Sequence, residues 1–240
     1  MQIRVDIPLI GSLLVNGDIP KDQPVIAYIH EFFGKSTPPD KISQVINCSF
    51  VLPGYEEAVL AKECEGHILT WEKYGKAVAK TIETIDTSFI LIGNSMGAMV
   101  AIYAAAHTSL IEQLTLYRIP RFGLARTHLR QKYKDISYSL ADQKIYSQFL
   151  KTIRGKTSPN IMHVLEKTEW STAKKLYEGA SLSDRDPSVI TQLTQSVTLL
   201  EHEFEGDYLH PKEAHDALHV LLLSSSALLI NASDSKNVYK

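Results

Sequence analysis

The chain has 240 residues, of which 44% are hydrophobic and 22% charged, with a formal net charge of −2. That length suits one domain spanning 1–240, since α/β domains commonly run to roughly 200–250 residues, and the composition is that of an ordinary soluble globular protein. The charge excludes the basic character expected of a nucleic-acid binder and gives no reason for electrostatic attachment to a membrane. The two cysteines, Cys48 and Cys64, form neither a metal-ligand pattern nor a disulfide framework. They fit a reduced, cytoplasmic setting.

Residues 1–7 alternate polar and apolar side chains as a strand does. They lack the basic region and apolar core that a signal peptide needs. Residues 2–7 and 11–16 are expected to form two strands, followed by a turn at Asn16-Gly17-Asp18. Residues 24–30 read as a buried strand that runs into the loop His30-Glu31-Phe32-Phe33-Gly34. A short helix over 39–47 and a strand over 48–52 come next, closed by Pro53-Gly54. Thr70 is placed to cap a helix that runs to about Ile85.

In Ser88-Phe89-Ile90-Leu91-Ile92 the four residues after the serine are continuously apolar, as expected of a central strand buried on both faces. A further strand spans 111–119, and residues 120–158 are polar, basic and tyrosine-rich, with the pattern of a helical insertion. Residues 161–165 read as a strand, 171–179 as a helix and 197–200 as the last strand. Pro211 opens a final helix, where its missing N–H costs nothing. The apolar run from Leu218 to Ile230 is broken by His219 and three serines. It is expected to pack as part of that helix, and no run reaches the ~18 residues of a membrane span.

Alternation of strand and helix from about residue 24 predicts an α/β fold. It would hold a mostly parallel central sheet, helices on both faces and antiparallel N-terminal edge strands.

The chemistry points first to Gly93-Asn94-Ser95-Met96-Gly97. An apolar strand precedes it and the small-residue helix Ala98-Met99-Val100-Ala101 follows, which is the context that gives a G-x-S-x-G nucleophile elbow its meaning. The turn would hold Ser95 in a strained conformation and place it beside free N–H groups at a helix start.

With these pieces in order, the chain resembles the α/β-hydrolase fold family over nearly its whole length. The loop His30-Glu31-Phe32-Phe33-Gly34 looks like the family's His-Gly loop, with glutamate where glycine is common. Val51-Leu52-Pro53-Gly54-Tyr55-Glu56 is similar to its Pro-Gly stretch, and residues 120–158 stand where the family inserts a cap. The resemblance implies a nucleophile after the fifth strand, an acid after the seventh and a histidine after the eighth.

On that order the base is His210 in Gly206-Asp207-Tyr208-Leu209-His210-Pro211, with His202 as the alternative. The acid is Glu169, with Glu166 second, because both follow the strand expected at 161–165. The oxyanion hole would use the N–H of Met96 and that of Glu31 or Phe32. His215 and His219, four apart on the last helix, suggest no third metal ligand.

Arg118, Arg121 and Arg126 cluster where the cap begins. They are either a solvated surface or an anchor for a substrate carboxylate. Arg121, Phe122 and Tyr133 are the candidate substrate contacts, and Tyr138 and Tyr146 are further aromatic candidates for a pocket.

The resemblance thus implies a serine hydrolase acting on an ester, thioester or lactone of a small or medium acyl compound. It would work through an acyl-enzyme, with no cofactor and no metal. The alternatives are a non-hydrolytic enzyme of the same fold, lyase-type, and a catalytically silent binding protein. The oligomeric state stays open.

Overall fold

Alternating side chains make Gln2–Ile7 (β1) an edge strand: Ile3, Val5 and Ile7 turn inward while Gln2, Arg4 and Asp6 face water. It pairs antiparallel with Gly11–Gly17 (β2), in register from Gln2 with Asn16 to Ile7 with Gly11. In the computed structural model, which describes residues 1–184, 186–201, 205 and 207–230, these two strands begin an eight-stranded sheet.

Val25–Ile29 (β3), the short helix Asp40–Ser43 (α1) and Cys48–Val51 (β4) follow. The helix expected over 39–47 is thus reduced to a single turn. Thr70 caps Trp71–Ile85 (α2), its side chain accepting the Lys73 N–H at 3.3 Å. Trp71, Tyr74, Val78 and Ile82 of α2 are buried, and Lys73, Lys76 and Lys80 are exposed.

Phe89–Asn94 (β5) is buried almost throughout, and Met96–Ala105 (α3) is buried at every position. A helix that is apolar all round must be covered on all sides. The sheet covers α3 on one side, and α2 packs against it on another.

After Ile111–Tyr117 (β6) the chain leaves the sheet until residue 196. The segment between holds Thr127–Ser139 (α4), Gln143–Ile153 (α5), Pro159–Lys167 (α6) and Trp170–Leu182 (α7). Residues 161–165, expected as a strand, lie inside α6. The short apolar run is one face of a helix that begins at Ser158, whose side chain accepts the Ile161 N–H, and at Pro159. A run this short cannot separate strand from buried helix by its apolar content. The helical insertion therefore extends well beyond residue 158.

The chain returns as Ser196–Leu200 (β7), then Lys212–Leu223 (α8) and Leu228–Ile230 (β8). The strand at 197–200 is therefore followed by another. The apolar stretch read as one helix breaks at Ser224 into helix and strand.

The strand order is β1-β2-β4-β3-β5-β6-β7-β8, with β1, β2 and β4 joined antiparallel and all later pairs parallel. Successive connections reverse direction between β3 and β5, so a crevice opens at the carboxyl ends of those two strands, where ligands of such sheets bind. No helix among the described residues is long and apolar enough to cross a membrane.

Candidate active site

Ser95 occupies that crevice. It joins β5 to α3 with φ 54° and ψ −115°, a conformation that costs an ordinary residue about 1–3 kcal/mol. The surroundings impose it. A Cβ added to Gly97 would lie 2.2 Å from the Ile29 carbonyl oxygen, and one on Gly93 would lie 2.4 Å from the Gly97 oxygen. Strand, turn and helix thus meet backbone to backbone, and only glycine fits at either side of the serine. The Ser95 N–H donates to the Tyr117 carbonyl at 3.0 Å, which ties the turn to the end of β6.

His210 reaches the serine from the loop after β7. Its Nε2 lies 2.8 Å from Ser95 Oγ. Its Nδ1 lies 3.0 and 2.9 Å from Oδ1 and Oδ2 of Asp207. A carboxylate can only accept, so Nδ1 carries the proton and Nε2 presents its lone pair to the serine hydroxyl. Oδ1 of Asp207 also accepts the N–H groups of Leu209 and His210, each at 3.1 Å. One carboxylate therefore shapes the loop and orients the ring. Burial pushes the Asp207 carboxyl up, but hydrogen bonds from His210 and Arg118 outweigh it and hold it at about 2.

Arg118 follows β6 with φ 52°. Its Nη2 donates to Asp207 Oδ2 at 3.1 Å, and its Nη1 lies 3.5 Å from Glu31 Oε2. Burial raises the Glu31 carboxyl, with Arg118 opposing that shift and Asp207 adding to it.

The loop carrying Glu31 is held from below by His30, which is fully buried. His30 Nδ1–H donates to the Glu31 carbonyl at 2.9 Å, and its Nε2 accepts the Leu52 N–H at 3.5 Å. Burial lowers the pKa of this imidazole, in keeping with a neutral ring that donates at one nitrogen and accepts at the other. The same carbonyl accepts the Gly34 N–H at 2.8 Å, so the loop turns tightly over the end of β3.

Met96 is the first residue of α3, so its N–H is among those without a partner in the helix. Glu31 and Phe32 line the same cavity as Ser95 and His210. That cavity holds about 600 Å³ beneath the helical insertion, within the ~300–1,000 Å³ range of small-molecule sites. Its walls are largely apolar. Phe32, Phe33, Tyr133, Phe149 and Tyr177 form a continuous aromatic cluster, with ring centroids 4.4–6.0 Å apart from neighbour to neighbour. Among the described residues no group of three or more His, Cys, Asp or Glu side chains is placed to hold a metal ion.

No protein-family model matches the chain, and no curated protein sequence matches it. Solved structures do. A hydrolase from Pseudomonas aeruginosa superposes with a TM-score of 0.70 at 14% identity, covering 96% of this chain and 89% of its own. An esterase from Exiguobacterium antarcticum gives 0.69 at 13% identity, covering 98% and 91%. The bottromycin epimerase BotH gives 0.65 at 11% identity, covering 96% and 90%. The fold is that of the α/β hydrolases.

Within the α/β-hydrolase fold the histidine was expected after the eighth strand. Here His210 follows β7 and precedes both α8 and β8. It shares its loop with Asp207, three residues earlier. Residues 231–240, beyond β8, contain no histidine. The alternative base, His202, lies outside the described residues.

Glu169 is not brought to His210. It is the residue before α7 in the insertion, it is exposed, and the carboxylate at the imidazole is that of Asp207. The choice of Glu169 rested on a strand at 161–165, and α6 takes that place. Glu166, the second choice, pairs at the surface with Arg154 at 2.6 Å.

Of the candidate substrate contacts, Tyr133 lines the cavity while Arg121 and Phe122 do not. Arg121 Nε donates to the Tyr208 carbonyl, and its guanidinium stacks on the Tyr208 ring. Arg126 does line the cavity, yet it is 1% exposed. It donates to the Ser183 and Ala180 carbonyls at 3.1 Å each and lies 3.7 Å from the Trp71 ring centroid. Arg118 also lines the cavity and is engaged by two carboxylates, so each of the three arginines has a partner within the protein. Tyr138 is exposed, and Tyr146 is buried with its hydroxyl donating to the Leu165 carbonyl.

Three contributors escaped the sequence reading: Asp207, Tyr177 and the Arg118 bridge. Asp207 carried a usable signal. An aspartate bonds readily to backbone N–H groups two or three residues on, and His210 stands at that distance. Arg118 stood out only in its cluster with Arg121 and Arg126, which did not point to Asp207 or Glu31, and no spacing signal marked Tyr177.

Proposed function

We propose that this protein is a serine hydrolase that cleaves an ester, thioester or lactone of a small or medium acyl compound. The observation that carries this reading is the 2.8 Å approach of His210 Nε2 to the strained Ser95 Oγ, with Asp207 behind the ring. In this reading Nε2 takes the Ser95 proton as Oγ attacks the acyl carbonyl. The Met96 N–H and that of Glu31 or Phe32 receive the developing oxyanion. The imidazolium then protonates the leaving group. Water, deprotonated by the same nitrogen, releases the acid from the acyl-enzyme.

The aromatic and aliphatic part of the lining and the size of the cavity support an apolar acyl group. The relatives in structure that are described as hydrolase and esterase agree with hydrolysis, although at 13–14% identity they speak for the fold.

A fluorophosphonate probe and a panel of p-nitrophenyl acyl esters test the proposal together. Labelling of wild type but not of Ser95→Ala, with turnover of at least one ester, supports it. No labelling and no turnover in folded wild-type protein refutes it.

One observation favours a second reading, a non-hydrolytic reaction on the same fold. The carboxylate of Glu31 faces the cavity beside the oxyanion loop, where a protein acid can move a proton on a substrate. An epimerase shares the fold. Glu31→Gln separates the two, because hydrolysis by Ser95 survives the loss of that carboxylate and proton transfer through it does not.

A further inference from the structure

Three loops converge on the Ser95–His210 contact, and the guanidinium of Arg118 reaches a carboxylate on each of the other two. Arg118, at the end of β6, reaches Asp207 on the loop after β7 at 3.1 Å and Glu31 on the loop after β3 at 3.5 Å. All three side chains are mostly shielded, at 32% exposure for Arg118, 20% for Glu31 and 17% for Asp207. We infer that Arg118 is a positioning residue that fixes Asp207 for His210 and cancels the charge of Glu31 beside the oxyanion amides.

Two features demand such a group. First, Asp207 and His210 belong to one short loop whose backbone is tied to the segment after β6 by Arg121, with its N–H and Nε donating to the Leu209 and Tyr208 carbonyls at 3.3 and 3.2 Å, whereas Arg118 bonds the Asp207 carboxylate itself. Arg118 supplies a fork of donors from β6, whose last residue, Tyr117, also accepts the Ser95 N–H at 3.0 Å. Nucleophile, base and acid are thereby referred to the same strand end. Second, Glu31 is the carboxylate that lines the cavity with Ser95, on the loop whose amides would receive negative charge. An uncompensated anion there opposes the reaction it borders.

Among the described residues, the titratable groups around the cluster include Glu31, Asp207, His210 and the phenols of Tyr28 and Tyr117. Burial pushes the Tyr28 phenol up to about 12, so it stays neutral in the working range. Arg118 is a cation bonded to both carboxylates.

The inference rests on the serine-hydrolase reading, and its test separates the two. Full-length wild type, Arg118→Gln, Arg118→Lys and Arg118→Gln/Glu31→Gln are compared for p-nitrophenyl butyrate hydrolysis and for fluorophosphonate labelling rate, from about pH 5 to about pH 9. Thermal melting of each variant reports folding.

Arg118→Gln is expected to lower kcat at least about tenfold, with KM within about threefold, as for loss of a charged hydrogen bond. Removing the cation favours the protonated imidazole, so the acid limb of the kcat profile moves to higher pH. Adding Glu31→Gln to Arg118→Gln recovers part of the lost rate, because it removes the exposed anion. Arg118→Lys keeps the charge but not the fork, so the acid limb stays in place while kcat still falls.

Arg118→Gln with wild-type kcat and pH profile overturns the inference, and so does a double variant no faster than Arg118→Gln. Should Arg118→Gln not fold, wild-type kcat in Arg118→Lys overturns it and a loss with unchanged melting supports it. Wild-type protein that neither labels nor hydrolyses any ester fails the hydrolase reading itself.

Discussion

Asp207 stands three residues before His210, and both of its carboxylate oxygens lie within 3.0 Å of the ring nitrogen that faces away from Ser95. The two are thus one local unit in sequence, which the sheet brings to Ser95, 115 positions from His210.

This arrangement makes Asp207→Asn the decisive acid variant. An amide can donate to Nδ1 and so favour the wrong tautomer, with Nε2 protonated and unable to accept from Ser95. Turnover of an acyl ester is expected to fall roughly 10³–10⁴-fold with the geometry intact. Glu169→Gln, changed at an exposed position in the insertion, is expected to match wild type in the same assay. The opposite ranking would return the acid to Glu169.

Ser95→Ala and His210→Ala are each expected to lose about 10³-fold or more in turnover, since the two act as a unit. Combining them should cost little beyond either one alone. A double variant whose loss equals the product of the single losses would show that the residues act independently.

Asp207 also links stability to acid. Its carboxyl ordinarily titrates at 3.8 and is held at about 2 in the folded chain. Above the ordinary value both states are ionised, and the folded interactions contribute fully. As pH falls from about 4 to about 2, the unfolded chain takes up the proton first, and that contribution is lost. The melting-temperature advantage of wild type over Asp207→Asn should therefore shrink across that window and stay constant above it.

Asp184 behaves in the opposite sense. Burial raises its carboxyl from 3.8 to about 6, although Arg126 and the hydroxyl of Tyr103, 3.0 Å away, both oppose the shift. Between those values the folded chain keeps a proton that the unfolded chain has released, so stability falls as pH rises. Melting curves of wild type and Asp184→Asn from pH 4 to pH 6 check this: the wild-type melting temperature should drop relative to the variant. A gap that stays constant would exclude the raised value.

Gly97→Ala tests the backbone contact beneath the elbow. The new methyl would meet the Ile29 carbonyl at 2.2 Å, and backbone rather than a flexible side chain must give way. Overpacking of this kind costs about 1–3 kcal/mol. Both the melting temperature and the fluorophosphonate labelling rate should fall, because the displaced strand carries the loop of Glu31 and Phe32. Unchanged labelling would mean that the loop does not depend on this approach.

Much of the fold was legible because its signals are local. The alternation in β1, the unbroken apolar run of β5 and the Thr70 cap each declare an element within a few residues. The elbow was legible for the same reason: two glycines must flank Ser95, since neither position has room for a Cβ. His210 was legible from chain order and the proline after it. Residues 161–165 misled because four apolar residues around His163 carry no period long enough to separate a strand from one face of a helix. That reading placed the expected acid at Glu169, before β7, whereas the carboxylate at the His210 ring lies after it.

What the sequence determined by itself, then, is whatever is encoded by neighbours: the alternation of strands and helices, the strained turn at Ser95 and a histidine loop behind a strand end. The tertiary structure decided which side chains share a space. Asp207 had to be seen against the His210 ring, Arg118 between two carboxylates from separate loops, and Tyr177 against Phe32 from the far side of the cavity. These partners are 89, 87 and 145 positions apart in the cases of Arg118 with Asp207, Arg118 with Glu31, and Tyr177 with Phe32. No local pattern encodes such pairs, because they meet only where sheet order and helix packing carry them.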